Sequence, residues 1–165
     1  MTATSVRPLA DTPDDVALGK ALVREYVVAT AEETDQDVEL ILTLIPDVAD
    51  FAGRFLRGGG FLVAEVDGAA SGGVGITPSD DGDCEMNRLW IRPEFRRLGL
   101  GRILSETALA HARELGFTRM VLDVVPSRTG AIALYQSLGF VRISPFHDYP
   151  FEMVAFAKDL GGTPR

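Results

Sequence analysis

The spacing of apolar residues changes repeatedly along the chain, and each change predicts an element. Ser5 to Leu9 suit a short first strand. Asp11-Thr12-Pro13-Asp14-Asp15 reads as a helix start, with a capping side chain, proline in the first turn and acids at the positive end. Val16, Leu18, Ala21, Leu22, Tyr26 and Ala29 then recur at helical spacing. A second helical stretch runs from Asp35 to Leu44. Pro46 interrupts it, Val48 to Leu56 resumes it, and Gly58-Gly59-Gly60 ends the region. Phe61 to Val66 reads as a strand, Asp67-Gly68 as a hairpin turn, and Ala69 to Ile76 as the partner strand, weakened by Gly72, Gly73 and Gly75. After a turn at Asp80–Asp83, Cys84 to Ile91 completes three consecutive antiparallel strands.

The pattern then switches. Leu100, Ile103, Leu104, Thr107, Ala108, His111 and Leu115 are expected on one buried helical face, and Gly116 stops that helix. Met120 to Val125 is a short apolar strand, so strand, helix and strand predict a right-handed parallel crossover. Thr129 to Leu138 gives another helix, ended by Gly139, and Phe151 to Ala157 a last strand. The whole reads as an α+β (mixed α/β) domain spanning residues 1–165. It has a mostly antiparallel mixed sheet flanked by helices, one parallel crossover, and a frayed tail at Gly161–Arg165.

Composition narrows the ligand. The 165 residues are 46% apolar and carry a net charge of −8, which argues against a nucleic-acid partner. No run approaches the ~20 apolar residues of a membrane span, and no signal peptide is visible. Cys84 is the lone cysteine and His111 and His147 the two histidines; they show no metal-ligand spacing, so no metal is expected. A reducing, cytoplasmic setting is the default expectation.

Against that acidic background, Arg96-Arg97-Leu98-Gly99-Leu100-Gly101-Arg102 joins a strand to a helix start. Backbone N–H groups at such an end lack intrahelical partners, and with the macrodipole they form a phosphate site. A P-loop is excluded because Arg102-Ile103 stand where Lys and a hydroxyl are needed. A dinucleotide fingerprint is excluded because its third glycine position is Leu104 and antiparallel strands precede it.

What remains, Arg96, Gly99 and Gly101 after the strand Cys84–Ile91, resembles the GNAT superfamily of acyl-CoA-dependent N-acetyltransferases. A second block, Ala131 to Phe140, strengthens the resemblance, which is clear from Gly60 to Leu160. It implies acetyl-CoA as co-substrate and a primary amine as acceptor. Leu89, Trp90 and Ile91 would offer backbone groups to the acetyl carbonyl and pantetheine arm. Arg96, Arg97, Leu98, Gly99, Leu100, Gly101 and Arg102 would surround the pyrophosphate. Tyr135 matches the general acid that protonates the departing thiolate. Arg128 stands where the family often has Asn, and either reaches a phosphate or faces solvent.

The chemistry also needs a base. Making a lysine-like amine neutral at pH 7 costs about 4.6 kcal/mol, an α-amine only about 1 kcal/mol. Glu85, opening the thioester-binding strand, is the first candidate, and Asp123, on the neighbouring parallel strand, the second. Each also has a plainer reading as a solvent-facing or turn-bridging carboxylate. His111, Cys84 and Trp90 read as packed residues. The acceptor pocket is expected among the N-terminal helices, the Asp80–Asp83 loop and the Pro145–Pro150 loop carrying His147. Competing readings are a catalytically weak acyl-CoA-binding regulatory module and an acyltransferase using another acyl-CoA. A homodimer is possible on this reading.

Overall fold

A computed structural model describes residues 2–161; of the expected frayed tail, residues 162–165 lie outside it. Seven strands form one sheet in the order β1-β2-β3-β4-β5-β7-β6. They are β1 (Thr4–Pro8), β2 (Gly60–Val66), β3 (Ala69–Pro78), β4 (Asp83–Ile91), β5 (Arg119–Val124), β6 (Val141–Ile143) and β7 (Val154–Asp159). Every neighbouring pair is antiparallel except β4 and β5. Those two are parallel and joined through a helix, as the sequence pattern requires.

The helices are α1 (Pro13–Thr34), α2 (Val38–Leu44), α3 (Phe51–Phe55), α4 (Leu100–Glu114) and α5 (Thr129–Ser137). Each N-terminal boundary in the first third has a visible cause. Thr12 caps α1, Asp37 accepts from the amides of Glu39 and Leu40 at α2, and Asp50 accepts from Gly53 at α3. These caps set α2 and α3 later than the apolar pattern alone suggests, while α1 runs past Ala29 to Thr34.

Three expectations change. The buried face of α4 is Leu100, Leu104, Ser105, Ala108, Leu109 and Ala112, so Ile103 and Leu115 point outward. The last strand begins at Val154 rather than Phe151, and a short β6 precedes it, pairing Val141–Ile143 with Ala155–Ala157. The glycines of β3 do not shorten it. A Cβ on Gly75 would collide with the Phe55 ring and one on Gly73 with the Phe61 ring, so the missing side chains make room for two of the three rings Phe51, Phe55 and Phe61, whose centroids lie 5.0–5.2 Å apart. Each such buried ring contributes roughly 1.5–3 kcal/mol.

The sheet thus separates two cores. One, under α4 and α5, holds Met86, Leu104, Met120, Leu122, Tyr135 and Phe156. The other, under α1–α3, holds Leu22, Val27, Phe51, Phe55 and Phe61. Cys84 is fully buried, and burial pushes its thiol up to about 12, which keeps it an inert packed residue. His111 is half-buried against Gly60.

Candidate active site

The site begins where two strands part. β4 and β5 pair only over Asp83–Arg119, Cys84–Met120 and Glu85–Val121. Beyond Glu85 they diverge, while β4 continues along β3 to Ile91. The β5-facing edge of Leu89, Trp90 and Ile91 therefore has backbone groups free of the ladder. The sequence carries the cause in its alternation. Cys84, Glu85, Met86 and Asn87 alternate apolar and polar, then Arg88 repeats the polar class. That slip is a β-bulge. Arg88 and Leu89 together oppose Val74 in the register with β3, and Arg88 is held at φ +56°.

A cleft of about 440 Å³ opens from this splay. Leu89, Trp90, Ile91, Arg96, Gly101 and Arg128 line it, with Glu33, Gly130, Ala131 and Leu134. At its rim the turn into α4 holds Arg97 at φ +67° and Gly99 at φ +76°. The first intrahelical bond of α4 is Ile103 N–H to the Gly99 carbonyl, so the amides of Leu100, Gly101 and Arg102 precede the ladder. A Cβ on Gly99 would meet nothing within 4 Å, leaving backbone exposed for close approach. Chain conformation and open amides fit a pyrophosphate.

The side chains of this rim are mostly engaged elsewhere. Arg102 donates to Ser137 Oγ at 2.7 Å and lies 3.6 Å from Glu106. Leu100 is buried, so only its backbone faces the turn. Leu98 is exposed. The Arg96 guanidinium lies 5.0 Å over the Trp90 ring and donates to the Ile91 carbonyl. Trp90 Nε1 donates to Glu25, which Arg92 also grips through Nε and a terminal nitrogen, each at 3.0 Å. Arg128 does not face solvent. It lines the cleft, but donates to Glu33 Oε2 at 2.8 Å and Thr30 Oγ1 at 2.7 Å, with the Tyr26 ring 4.8 Å away.

A narrower cavity of about 40 Å³ lies between the strands, lined by Tyr26, Asn87, Arg88, Leu89, Asp123, Arg128 and Tyr135 among others. Tyr135 is buried and its ring packs edge-on against Phe140. Burial, then the nearby Tyr26, raises its hydroxyl pKa, so it holds its proton. Both carboxylates are on the α1–α3 face. Glu85 is buried, and both its oxygens lie within hydrogen-bond reach of His147 Nε2, at 3.0 and 3.2 Å. Asp123 is pushed up to about 6, by burial first and by the Glu85 charge second.

The three groups Glu85, Asp123 and His147 bring their ligand-type atoms within 4.8 Å of one another. This carboxylate–carboxylate–imidazole cluster is assembled from β4, β5 and the 144–153 segment. Sequence spacing held no trace of it, because 62 residues separate Glu85 from His147. Asp47 was also missed. It is fully buried, accepting from Arg88 Nε at 2.7 Å and Arg54 Nε at 3.3 Å. Its signal is weak, a single acid just after Pro46. Among the described residues, no helix is long and apolar enough to cross a membrane.

Comparison with known proteins agrees with the geometry. An uncharacterised N-acetyltransferase of Schizosaccharomyces pombe is 31% identical over 150 residues, 88% of each chain. Human N-acetyltransferase 8 is 37% identical over 108 residues, 61% of this chain and 48% of that protein, so the chain spans about half the length of that relative. A GNAT-family acetyltransferase from Staphylococcus aureus shares the fold at a TM-score of 0.77 and 16% identity, covering 96% of this chain and 99% of that one. So does a phosphinothricin acetyltransferase from Sinorhizobium meliloti, solved with acetyl-CoA, at 0.70 and 22%, covering 96% and 89%. The family model described as Acetyltransferase (GNAT) family matches residues 20–140, and this chain belongs to that family.

Proposed function

We propose that this protein transfers the acetyl group of acetyl-CoA to a primary amine by direct attack. The observation that carries the reading is the splay of β4 and β5. It sets strand backbone, a buried tyrosine and the Asp123 carboxylate around one cavity, with Glu85 and His147 beside Asp123, at the inner end of a cleft whose mouth is an open-amide turn. In this reading the donor lies along the cleft, with its pyrophosphate on the amides of the Arg97–Arg102 turn and its thioester against Leu89–Ile91. Acetyl-CoA supplies the activated acyl group; the protein supplies position and proton transfer.

The amine must lose a proton to attack. Glu85 takes it, directly or through water, and His147 passes it towards solvent from the exposed side of the pair. Asp123 is the second acceptor; with its pKa near 6 it is mostly ionised at pH 7.5. Tyr135, kept protonated by burial, returns a proton to the departing thiolate sulfur. Because the family relationship does not name an acceptor, the test is a screen of amines with acetyl-CoA, reading free thiol. Transfer to an amine that fails in Tyr135→Phe and Glu85→Gln supports the reading. Tight acetyl-CoA binding with no transfer to any amine in the wild-type protein would replace it with a binding module. Comparison of acetyl-, propionyl- and succinyl-CoA fixes the acyl group.

A further inference from the structure

We propose that Glu85, Asp123 and His147 form a site for a first-row divalent cation, zinc fitting best, and that the cation competes there with the ammonium group of the acceptor. The competition rests on the acetyltransferase reading above; the binding does not. The three side chains bring one ligand atom each within 4.8 Å of one another. Glu85 comes from β4, Asp123 from β5 and His147 from the segment between β6 and β7. Spacing along the chain predicts no metal, because the ligands come from segments up to 62 residues apart. One edge of the cluster already has the size a metal needs. A cation about 2.0–2.2 Å from each ligand holds neighbouring ligand atoms roughly 3.0–3.4 Å apart. His147 Nε2 lies 3.2 and 3.0 Å from the two Glu85 oxygens.

A second observation is a shortage of donors. The Glu85 side chain is only 8% exposed, and both its oxygens reach the same imidazole nitrogen. That nitrogen carries at most one hydrogen, so the two buried oxygens share one donor between them. Asp123 adds two more acceptor oxygens beside Glu85, and the two carboxylate charges oppose each other. A cation relieves both the missing donor and the repulsion. The acceptor's ammonium is one such cation and a metal ion another, which is why the two compete. The donor set selects the metal. Cys84, next to Glu85, is buried in the apolar core under α4 and α5, so the ligands are nitrogen and oxygen. An imidazole with two carboxylates suits zinc and its neighbours better than magnesium or calcium. Three protein ligands leave a fourth position open, as in zinc sites that exchange ligands. His147 is 39% exposed and gives the ion a way in from solvent. A bound cation takes the lone pairs that would receive the amine's proton, so transfer stops while it stays.

The test titrates zinc chloride into the untagged wild-type protein by calorimetry, with no acetyl-CoA present. One equivalent should bind. His147→Ala and Asp123→Asn should each weaken binding by more than about 100-fold, above the usual cost of losing a partner outside the ligand shell. His111→Ala, which removes the other imidazole, should leave it unchanged. Circular dichroism confirms that each variant folds, and Asp123→Asn, which keeps the shape of the side chain, carries the comparison if His147→Ala does not. With an amine found by the screen above, zinc should raise the KM of the amine and leave that of acetyl-CoA unchanged, and a chelator should restore the rate. Binding that depends on His147 and Asp123, in a protein that acetylates no amine, would sustain the cation site and remove the acetyltransferase reading. Transfer without zinc binding, or zinc binding indifferent to both variants, would overturn the site and leave that reading standing. Inhibition that excess amine does not relieve would overturn the competition.

Discussion

The two halves of the proposed site, one for the acetyl donor and one for the acceptor, are built by different means. The donor half is made of backbone. Its parts are the amides at the start of α4, the glycines of the turn and the free edge of β4, and the rim arginines point to Ser137, Glu106 and the Ile91 carbonyl. The acceptor half is made of side chains. Arg88, Asp47, Glu85, Asp123 and His147 meet from four separate segments, joined by contacts that span 41 and 62 residues. A backbone site tolerates loss of side chains and fails when a Cβ intrudes; a side-chain site behaves in the opposite way.

That contrast can be tested from its strongest consequence downwards. Glu85→Gln should lower kcat/KM by about 10²–10⁴-fold, the usual range for a general base, with acetyl-CoA affinity retained. Equal loss of acetyl-CoA affinity would mean that Glu85 serves the donor half instead. Asp47→Ala leaves Arg88 and Arg54 without their shared anion, and urea melts should show a loss of about 3–5 kcal/mol. A cost within experimental error would separate that ion pair from the integrity of the acceptor half.

In the donor half, Gly101→Ala should be tolerated, because its Cβ would sit at an ordinary 3.5 Å from Leu134 Cδ2. Gly101→Val reaches further into the cleft and should abolish the stabilisation of about 2.7 kcal/mol expected from acetyl-CoA at 100 times Kd. Asp123 gives the pH signature. Its folded pKa of about 6 exceeds the ordinary 3.8, so the folded state keeps a proton the unfolded chain has lost. Stability from this group is present below pH 3.8 and is lost as pH rises through about 6. Asp123→Asn should therefore gain on the order of 2 kcal/mol at pH 7.5 relative to wild type and gain little below pH 4, as thermal melts across pH would show. Smallest of all, Arg102→Ala should change stability by no more than about 0.5 kcal/mol, since its partners are exposed. A large loss of acetyl-CoA affinity there would put a side chain back into the donor half.

The same division explains what could be read from the sequence. The turn Arg96–Arg102, the Asp67-Gly68 hairpin and the parallel crossover are local, and local chemistry leaves local patterns. Asp67 and Gly68 both adopt positive φ, as that turn demands. The starts of α2 and α3 are hard to read because their caps, Asp37 and Asp50, are single residues among many acids. β6 is three residues long and defined by its partner β7, so no pattern of its own announces it. Arg88 was legible in principle, as one polar residue too many in an alternating strand. Asp47 was not, since nothing near it in sequence states what it meets, and for His147 the loop was legible but not the pairing with Glu85. Arg128 lines the cleft, and its course is decided by Glu33 and Thr30 on a helix 95 and 98 residues away.

The parting of β4 from β5 also decides what the middle of the sheet offers to the cleft. A strand in the middle of a seven-stranded sheet carries, over Leu89–Ile91, the unladdered edge of an outer strand. Such an edge usually invites another chain to pair with it. Here that edge opens into a cleft flanked by α5 and the Arg128–Glu33 bridge, so a sheet-forming backbone is presented to a bound ligand instead of to a neighbouring strand of the same sheet.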